Sequence, residues 1–266
     1  MVAFVLFGFV TVAPAQTQPA PEAVPAKSAV KKSAPKAGVK RPAAAENGPC
    51  KLGVISALGD RFSVQKFGLT VFETEESEVP IDGWGLDDLA VARVRAATGA
   101  DPSVRRINYP KGSFEPFYNP KSRLLPDPKE GLPAIVRNIT AHANCERYLV
   151  IVKYNEKLPG TNLVLKGIGT YNQGLGTVIR HSHLFANVAV NLIDGSTYEG
   201  INRSLAAIGA GFSEGFRIME DPLAKLDNSL FPDPPELASS NATLRERTRA
   251  LVSAKLDRLI PRYLQE

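Results

Sequence analysis

The sequence predicts an α/β (α+β) fold: a mixed β-sheet with an N-terminal hairpin and three main helices packed on it, behind a disordered N-terminal tail. Three observations predict it. Short apolar runs with strand periodicity recur from residue 51 to residue 200. Three stretches instead carry apolar residues at helical spacing. The first 49 residues have no composition from which a core can be built.

The chain opens MVAFVLFGFVTVAPAQ. Residues 2–12 are apolar or nearly so, and Ala13-Pro14-Ala15 is an A-x-A pattern. This layout predicts a signal peptide over 1–15, cleaved between Ala15 and Gln16, although no Lys or Arg precedes the apolar run. The run is shorter than the ~20 residues a bilayer span needs, so no transmembrane helix is expected in the mature chain. No cysteine stands at the cleavage point for a lipid anchor.

Residues 16–49 hold six prolines, many alanines and no aromatic residue. Such a segment cannot bury enough apolar area to offset its chain entropy, and it reads as a disordered linker. Six cations against two carboxylates give it a net charge of +4, out of +5 for the whole chain. Residues 50–266 therefore carry only +1, which argues against a nucleic-acid-binding surface on the folded part. The basic tether suits an anionic envelope surface or a plain spacer. The 217 residues from 50 to 266 suffice for a single α/β domain with a sizeable core.

Within that domain, KLGVISALG followed by RFSVQKFGLTVF predicts a β-hairpin turning at Gly59-Asp60. The apolar parity shifts between Phe62/Val64 and Phe67/Leu69/Val71, which predicts a bulge near Lys66–Gly68. ETEESEVPIDGWG reads as an acidic loop. Leu86, Leu89, Ala90, Val94 and Ala97 mark a helix, with Asp87 and Asp88 in its first turn and Gly99 closing it. SVRRINY is a short strand and residues 110–130 a Pro-rich loop. Leu132, Ile135, Val136 and Ile139 mark a second helix with Pro133 near its start.

RYLVIVKY is apolar almost throughout, the mark of a central strand covered on both faces. NLVLKGIGTY and HLFANVAVNLID follow as strands, the latter with Leu184, Ala186, Val188, Val190 and Leu192 on one face. Asp194-Gly195 then turns the chain into a further strand-like stretch. A last helix over about 241–260 has Leu244, Thr248, Leu251, Val252, Leu256 and Leu259 as its stripe. Ser240 or Asn241 caps it and Pro261 stops it.

The chain has two cysteines, Cys50 and Cys145, each at the start of a strand. In parallel neighbours, strand starts share one edge of the sheet, so the sulfurs can meet with Cα atoms about 5.5 Å apart. An exported chain with two cysteines usually oxidises them. A structural disulfide ranks first, two buried thiols second and redox chemistry a distant third. No C-x-x-C or other short ligand spacing suggests a metal, and no cofactor is expected.

Several motifs carry weak chemistry. GFSEG, residues 211–215, matches the G-x-S-x-G elbow of α/β-hydrolases, but no histidine follows Ser213. ALGDRFS is similar to the G-D-S block of SGNH-type esterases, yet Arg61 stands where the nucleophile should be. His181 and His183 share a face at strand spacing, without a visible third ligand. Asp82, Trp84, Asp87 and Asp88 cluster where a loop meets a helix. They read first as dipole partners and a packing residue, and second as a binding surface. The glycines of GTYNQGLGT lie between strands, away from any helix start, so they do not form a phosphate cradle.

In element order across roughly 50–260, the chain resembles periplasmic α/β domains such as the TolB N-terminal domain and the curli-secretion (CsgG-like) group. The texture GVISALGDRFSVQKFGLTVF…VPIDGWGLDDLAVARV is similar to uncharacterised exported proteins of proteobacteria. The resemblance implies an exported fold and no particular activity. The expectation is a non-catalytic, periplasmic or secreted domain that contacts an envelope protein or the cell wall. The alternative is a secreted hydrolase drawing on Ser213, His181 or the Asp82–Asp88 cluster.

Overall fold

The computed structural model describes residues 48–68, 74–121, 127–158, 160–175, 179–201 and 223–264. The residues assigned above to a signal peptide and most of the linker lie outside these, as do Leu69, Val71 and Ser213. Among the described residues the fold is mixed α/β, with strands in several sheets and four α-helices.

The first sheet has the order β10-β5-β1-β4. It is built from β1 (Cys50–Ala57), β4 (Val104–Arg106), β5 (Cys145–Lys153) and β10 (Val188–Asp194). β1 pairs in parallel with both β4 and β5, and β10 runs antiparallel to β5. The second sheet has the order β11-β9-β8-β2-β3. Its strands are β2 (Arg61–Phe67), β3 (Glu75–Pro80), β8 (Ile168–Leu175), β9 (Ile179–Ala186) and β11 (Ala224–Leu226). A ribbon of β6 (Asn155–Lys157) and β7 (Val164–Lys166) completes the strands.

The helices are α1 (Leu86–Ala97), α2 (Glu115–Tyr118), α3 (Leu132–Ile139) and α4 (Ala242–Leu264). The spacing-based readings of α1 and α3 coincide with the helices found. α1 buries Leu86, Ala90, Val91 and Val94, and the leucine and each valine contribute about 1.5–3 kcal/mol of transfer free energy. α1 and α4 fill the main core together with residues of both sheets. The opposite face of the first sheet is covered by α3 and by Phe114, Phe117 and Tyr118 around α2.

The expected hairpin of β1 with β2 does not form. β1 is buried on both faces, with Leu52 and Val54 in one cluster and Ile55 and Ala57 in the other. A strand covered on both sides belongs in the middle of a parallel sheet, and both of its edges are taken by β4 and β5. At Gly59-Asp60 the chain therefore crosses into the second sheet. A Cβ at Gly59 would lie 2.7 Å from Asp87 Oδ2, so a larger residue here displaces that carboxylate. The hairpin comes one strand later, between β2 and β3. β3 is the stretch expected to be an acidic loop. It carries one buried apolar residue, Val79, so it shows no strand periodicity. Its carboxylates pair with Arg61, Lys66 and Lys166.

Two other strands expected to be continuous also cross between the sheets. HLFANVAVNLID divides at Asn187 into β9 and β10, yet Leu184, Ala186, Val188, Val190 and Leu192 all reach the same core. NLVLKGIGTY divides at Gly167, whose φ of 62° a side chain would strain. The crossings are joined by backbone hydrogen bonds. Tyr154 N donates to Asn187 O (3.0 Å), Asn187 N to Gly167 O (2.9 Å) and Gly167 N to Tyr154 O (3.0 Å).

The disulfide Cys50–Cys145 is present, with Cα atoms 4.6 Å apart. The two residues are register partners in the parallel β1/β5 ladder. α4 is capped by Asn241, whose Oδ1 accepts from Leu244 N at 3.0 Å. It runs through Pro261 to Leu264. A proline this close to the helix end removes only one hydrogen bond, and Ile260, Tyr263 and Leu264 still pack on the core.

Candidate functional site

Parallel strands leave their carboxyl ends on one edge of a sheet, and open α/β sheets place ligand crevices there. In this fold, β1 ends at Ala57, β4 at Arg106 and β5 at Lys153. Above these ends lie two neighbouring cavities of about 610 Å³ and 270 Å³ that share Asp60 and Glu115 in their lining.

The smaller cavity is organised by Asp87, in the first turn of α1. Its Oδ1 accepts from Ser56 Oγ at 2.6 Å and from Leu58 N at 2.8 Å. Burial pushes its carboxyl above the usual range, against the pull of the Ser56 and Leu58 hydrogen bonds. Asp87 therefore fixes the point where β1 leaves the first sheet.

Two phenols hold the last carbonyls of β1. Tyr109 Oη donates to Ser56 O at 2.5 Å, and Tyr118 Oη donates to Ala57 O at 2.9 Å while accepting from Lys153 N at 3.3 Å. Burial raises the pKa of both. Lys153 Nζ is paired with Asp60, donates to Arg61 O at 3.2 Å and lies 5.4 Å from the centre of the Tyr118 ring. This lysine side chain is 9% exposed, so the Asp60 pair satisfies a cation that could not be buried alone.

The larger cavity opens beyond Lys153. Its rim carries Arg61 paired with Glu78 (3.2 Å) and Lys166 paired with Glu76 (2.6 Å). Asn119 Nδ2 donates to Glu115 Oε1 at 2.7 Å. Phe117, Tyr118 and Tyr154 bring aromatic rings to the same lining.

The acidic residues singled out from the sequence stay around the smaller cavity, whereas Trp84 and the histidines lie elsewhere. Of the acidic cluster, Asp87 lies in the smaller cavity, Asp82 pairs with Lys111 at its rim (3.0 Å), and Asp88 pairs with Arg106. Trp84 packs into the core and is not exposed as the sequence reading allowed. It is 3% exposed, lies 4.9 Å from Phe62 between ring centres, and its Nε1 donates to Ser239 O at 3.1 Å. A large ring at the mouth of a helix is worth more buried against the core than exposed.

His181 and His183 lie on β9 in the second sheet. His183 stacks on Tyr171 at 5.2 Å, and burial lowers its pKa, with His181 and Lys225 adding to the effect. Among the described residues, no three His, Cys, Asp or Glu side chains gather in a way that could hold a metal ion. Ser213 and its GFSEG motif lie outside the described residues.

The sequence reading missed Asp60, Tyr109, Tyr118 and Lys153. Lys153 did leave a trace, as a lone cation ending an otherwise apolar run. Tyr109 ends the short SVRRINY stretch and Tyr118 lies in the Pro-rich one, and only the fold shows what they reach.

No protein-family model, curated protein or solved structure matches the chain. No described helix is long and apolar enough to cross a membrane.

Proposed function

We propose that residues 50–266 form a non-catalytic domain of the cell envelope, periplasmic or secreted, which works by holding an envelope protein or the cell wall in the crevice above β1, β4 and β5. In this reading residues 1–15 direct export and are removed after Ala15. The basic segment 16–49 tethers the domain near an anionic surface. The disulfide supports an oxidising compartment, where such bonds persist.

The observation that carries the binding role is the pairing of charges in the larger cavity. Asp60 with Lys153, Arg61 with Glu78 and Lys166 with Glu76 form a lining in which each cation is held by a carboxylate, with Glu115 accepting from Asn119 beside them. Acid–base catalysis calls for a group held at a reactive pKa beside the bond to be broken. A pre-organised lining of paired charges, amides and rings is suited instead to recognition by shape and hydrogen bonding. A serine-type version of the hydrolase alternative needs a histidine beside a carboxylate. His181 and His183 are on β9 of the second sheet, whereas Asp87 stands at the carboxyl end of the first.

The test is site-specific photo-crosslinking in intact cells. A crosslinker replacing Asn119, on the crevice rim, is expected to give envelope adducts. One replacing Glu246, on the exposed face of α4, is expected to give none. Absence of adducts from position 119, or the same adducts from both positions, would defeat the proposal.

A further inference from the structure

We propose that the ligand of the larger cavity is a neutral saccharide, a short stretch of a glycan strand; this rests on the envelope-binding reading and names the chemistry of its ligand. Three features of the cavity converge on that class. Its volume of about 610 Å³ falls within the ~300–1,000 Å³ typical of ligand sites.

The first feature is Ser63. It lines the cavity and is 3% exposed, yet its Oγ has no hydrogen-bond partner in the protein. A buried hydroxyl left unpaired is costly, and such groups in folded proteins ask for an explanation. The Oγ is covered in this structure, and a ligand hydroxyl meets it, as both donor and acceptor, once the Ser63 side chain rotates towards the cavity.

The second feature is aromatic. Phe117, Tyr118 and Tyr154 are each half-buried and line the same space. Phe117 and Tyr118 stand edge to face, with centres 5.4 Å apart. A pyranose ring is polar at its edge and apolar on the face formed by its axial C–H bonds. Rigid rings beside hydrogen-bonding groups match both parts at little entropic cost.

The third feature is the charge. The cations of the lining are already held by carboxylates, as set out above, so an anionic ligand finds no unpaired positive group there. The outer lone pairs of Glu78 and Glu115 and the side-chain amides of Asn119 and Asn155 remain suited to neutral hydroxyls and acetamido groups. A phosphorylated or strongly acidic ligand would meet the carboxylates of Asp60, Glu76, Glu78 and Glu115 beside those cations, whereas a polyhydroxylated neutral one can add to the pairs.

The experiment is calorimetric titration of the full chain with chitotetraose and, separately, cellotetraose, at up to about 5 mM, where millimolar binding is still visible. Binding to at least one is expected. Phe117→Ala is expected to weaken it about tenfold, with Asn119→Ala as a second variant at an exposed position where folding is not at stake. Glu246→Ala, away from the cavity, is expected to leave it unchanged.

Binding that neither Phe117→Ala nor Asn119→Ala weakens overturns the site. No binding of either tetramer, with envelope adducts still forming at position 119, overturns the saccharide and leaves the envelope role standing with a protein as the occupant. No binding and no adducts overturn both.

Discussion

Cys50 and Cys145 face each other in register, as the first residues of two adjacent parallel strands, and their disulfide joins positions 95 residues apart in sequence. The link is buried, with Cys50 6% and Cys145 5% exposed. Behind it, Gly195 comes so close that a Cβ would collide with the Cys145 carbonyl. The bond thus pins β1 to β5 at the amino edge of the sheet, opposite the crevice.

A loop of this size gives up about 4–5 kcal/mol of unfolded-state entropy as an upper figure. The Cys50→Ser/Cys145→Ser variant is expected to lose a few kcal/mol in urea unfolding while keeping the same far-UV spectrum. A loss well under about 1 kcal/mol would mean that the ladder, not the bond, holds the two strands together.

Gly59 and Asp87 form a second coupled pair. Gly59→Ala is expected to cost about 1–3 kcal/mol, since its new methyl group meets the Asp87 carboxylate. Asp87→Ser shortens that side chain, so the double variant should lose less than the sum of the singles. A double-mutant cycle by urea unfolding reads the coupling. Strict additivity would contradict the crossing geometry.

Trp84 is the sole tryptophan, so its burial is visible in fluorescence. Blue-shifted emission and resistance to iodide quenching are expected in the native state, both lost on unfolding. Trp84→Ala should destabilise by about 3–5 kcal/mol through the cavity it leaves. Quenching as efficient as that of free tryptophan would contradict its place in the core.

Lys255 sets a pH dependence. It is 6% exposed, donates to Ala186 O at 2.9 Å and lies 5.4 Å from the Tyr154 ring centre. Burial lowers its pKa from 10.5 to about 8, with Glu156 pulling the other way. Below pH 8 both the folded and unfolded chains hold this proton, and the folded state bears the cost of the buried ammonium. Between the two values only the unfolded chain still holds it, so stability rises with pH by something on the order of 3 kcal/mol. The phenols of Tyr109, Tyr118 and Tyr154, all raised by burial, oppose this once the unfolded chain begins to lose their protons near 10. Urea midpoints should therefore climb from pH 7 to about 9.5 and fall above it. In Lys255→Met the climb should vanish; a flat wild-type profile would refute the assignment.

Periodicity by itself determined where α1, α3, β1, β5 and the core-facing residues of β9 and β10 lie, because each encodes its own burial pattern over several residues. It also paired the two cysteines, since strand starts in a parallel pair share an edge. Only the tertiary structure decided that the chain crosses between two sheets at Gly59, Gly167 and Asn187. A local sequence signal does not tell a turn from a crossing, and what settles the choice is which neighbours claim each strand edge. The same holds for the crevice. Asp60, Tyr118 and Lys153 come from three distant stretches, and their pairing follows from the burial of a lysine that needs a counter-charge, a requirement that arises only once the strands are assembled.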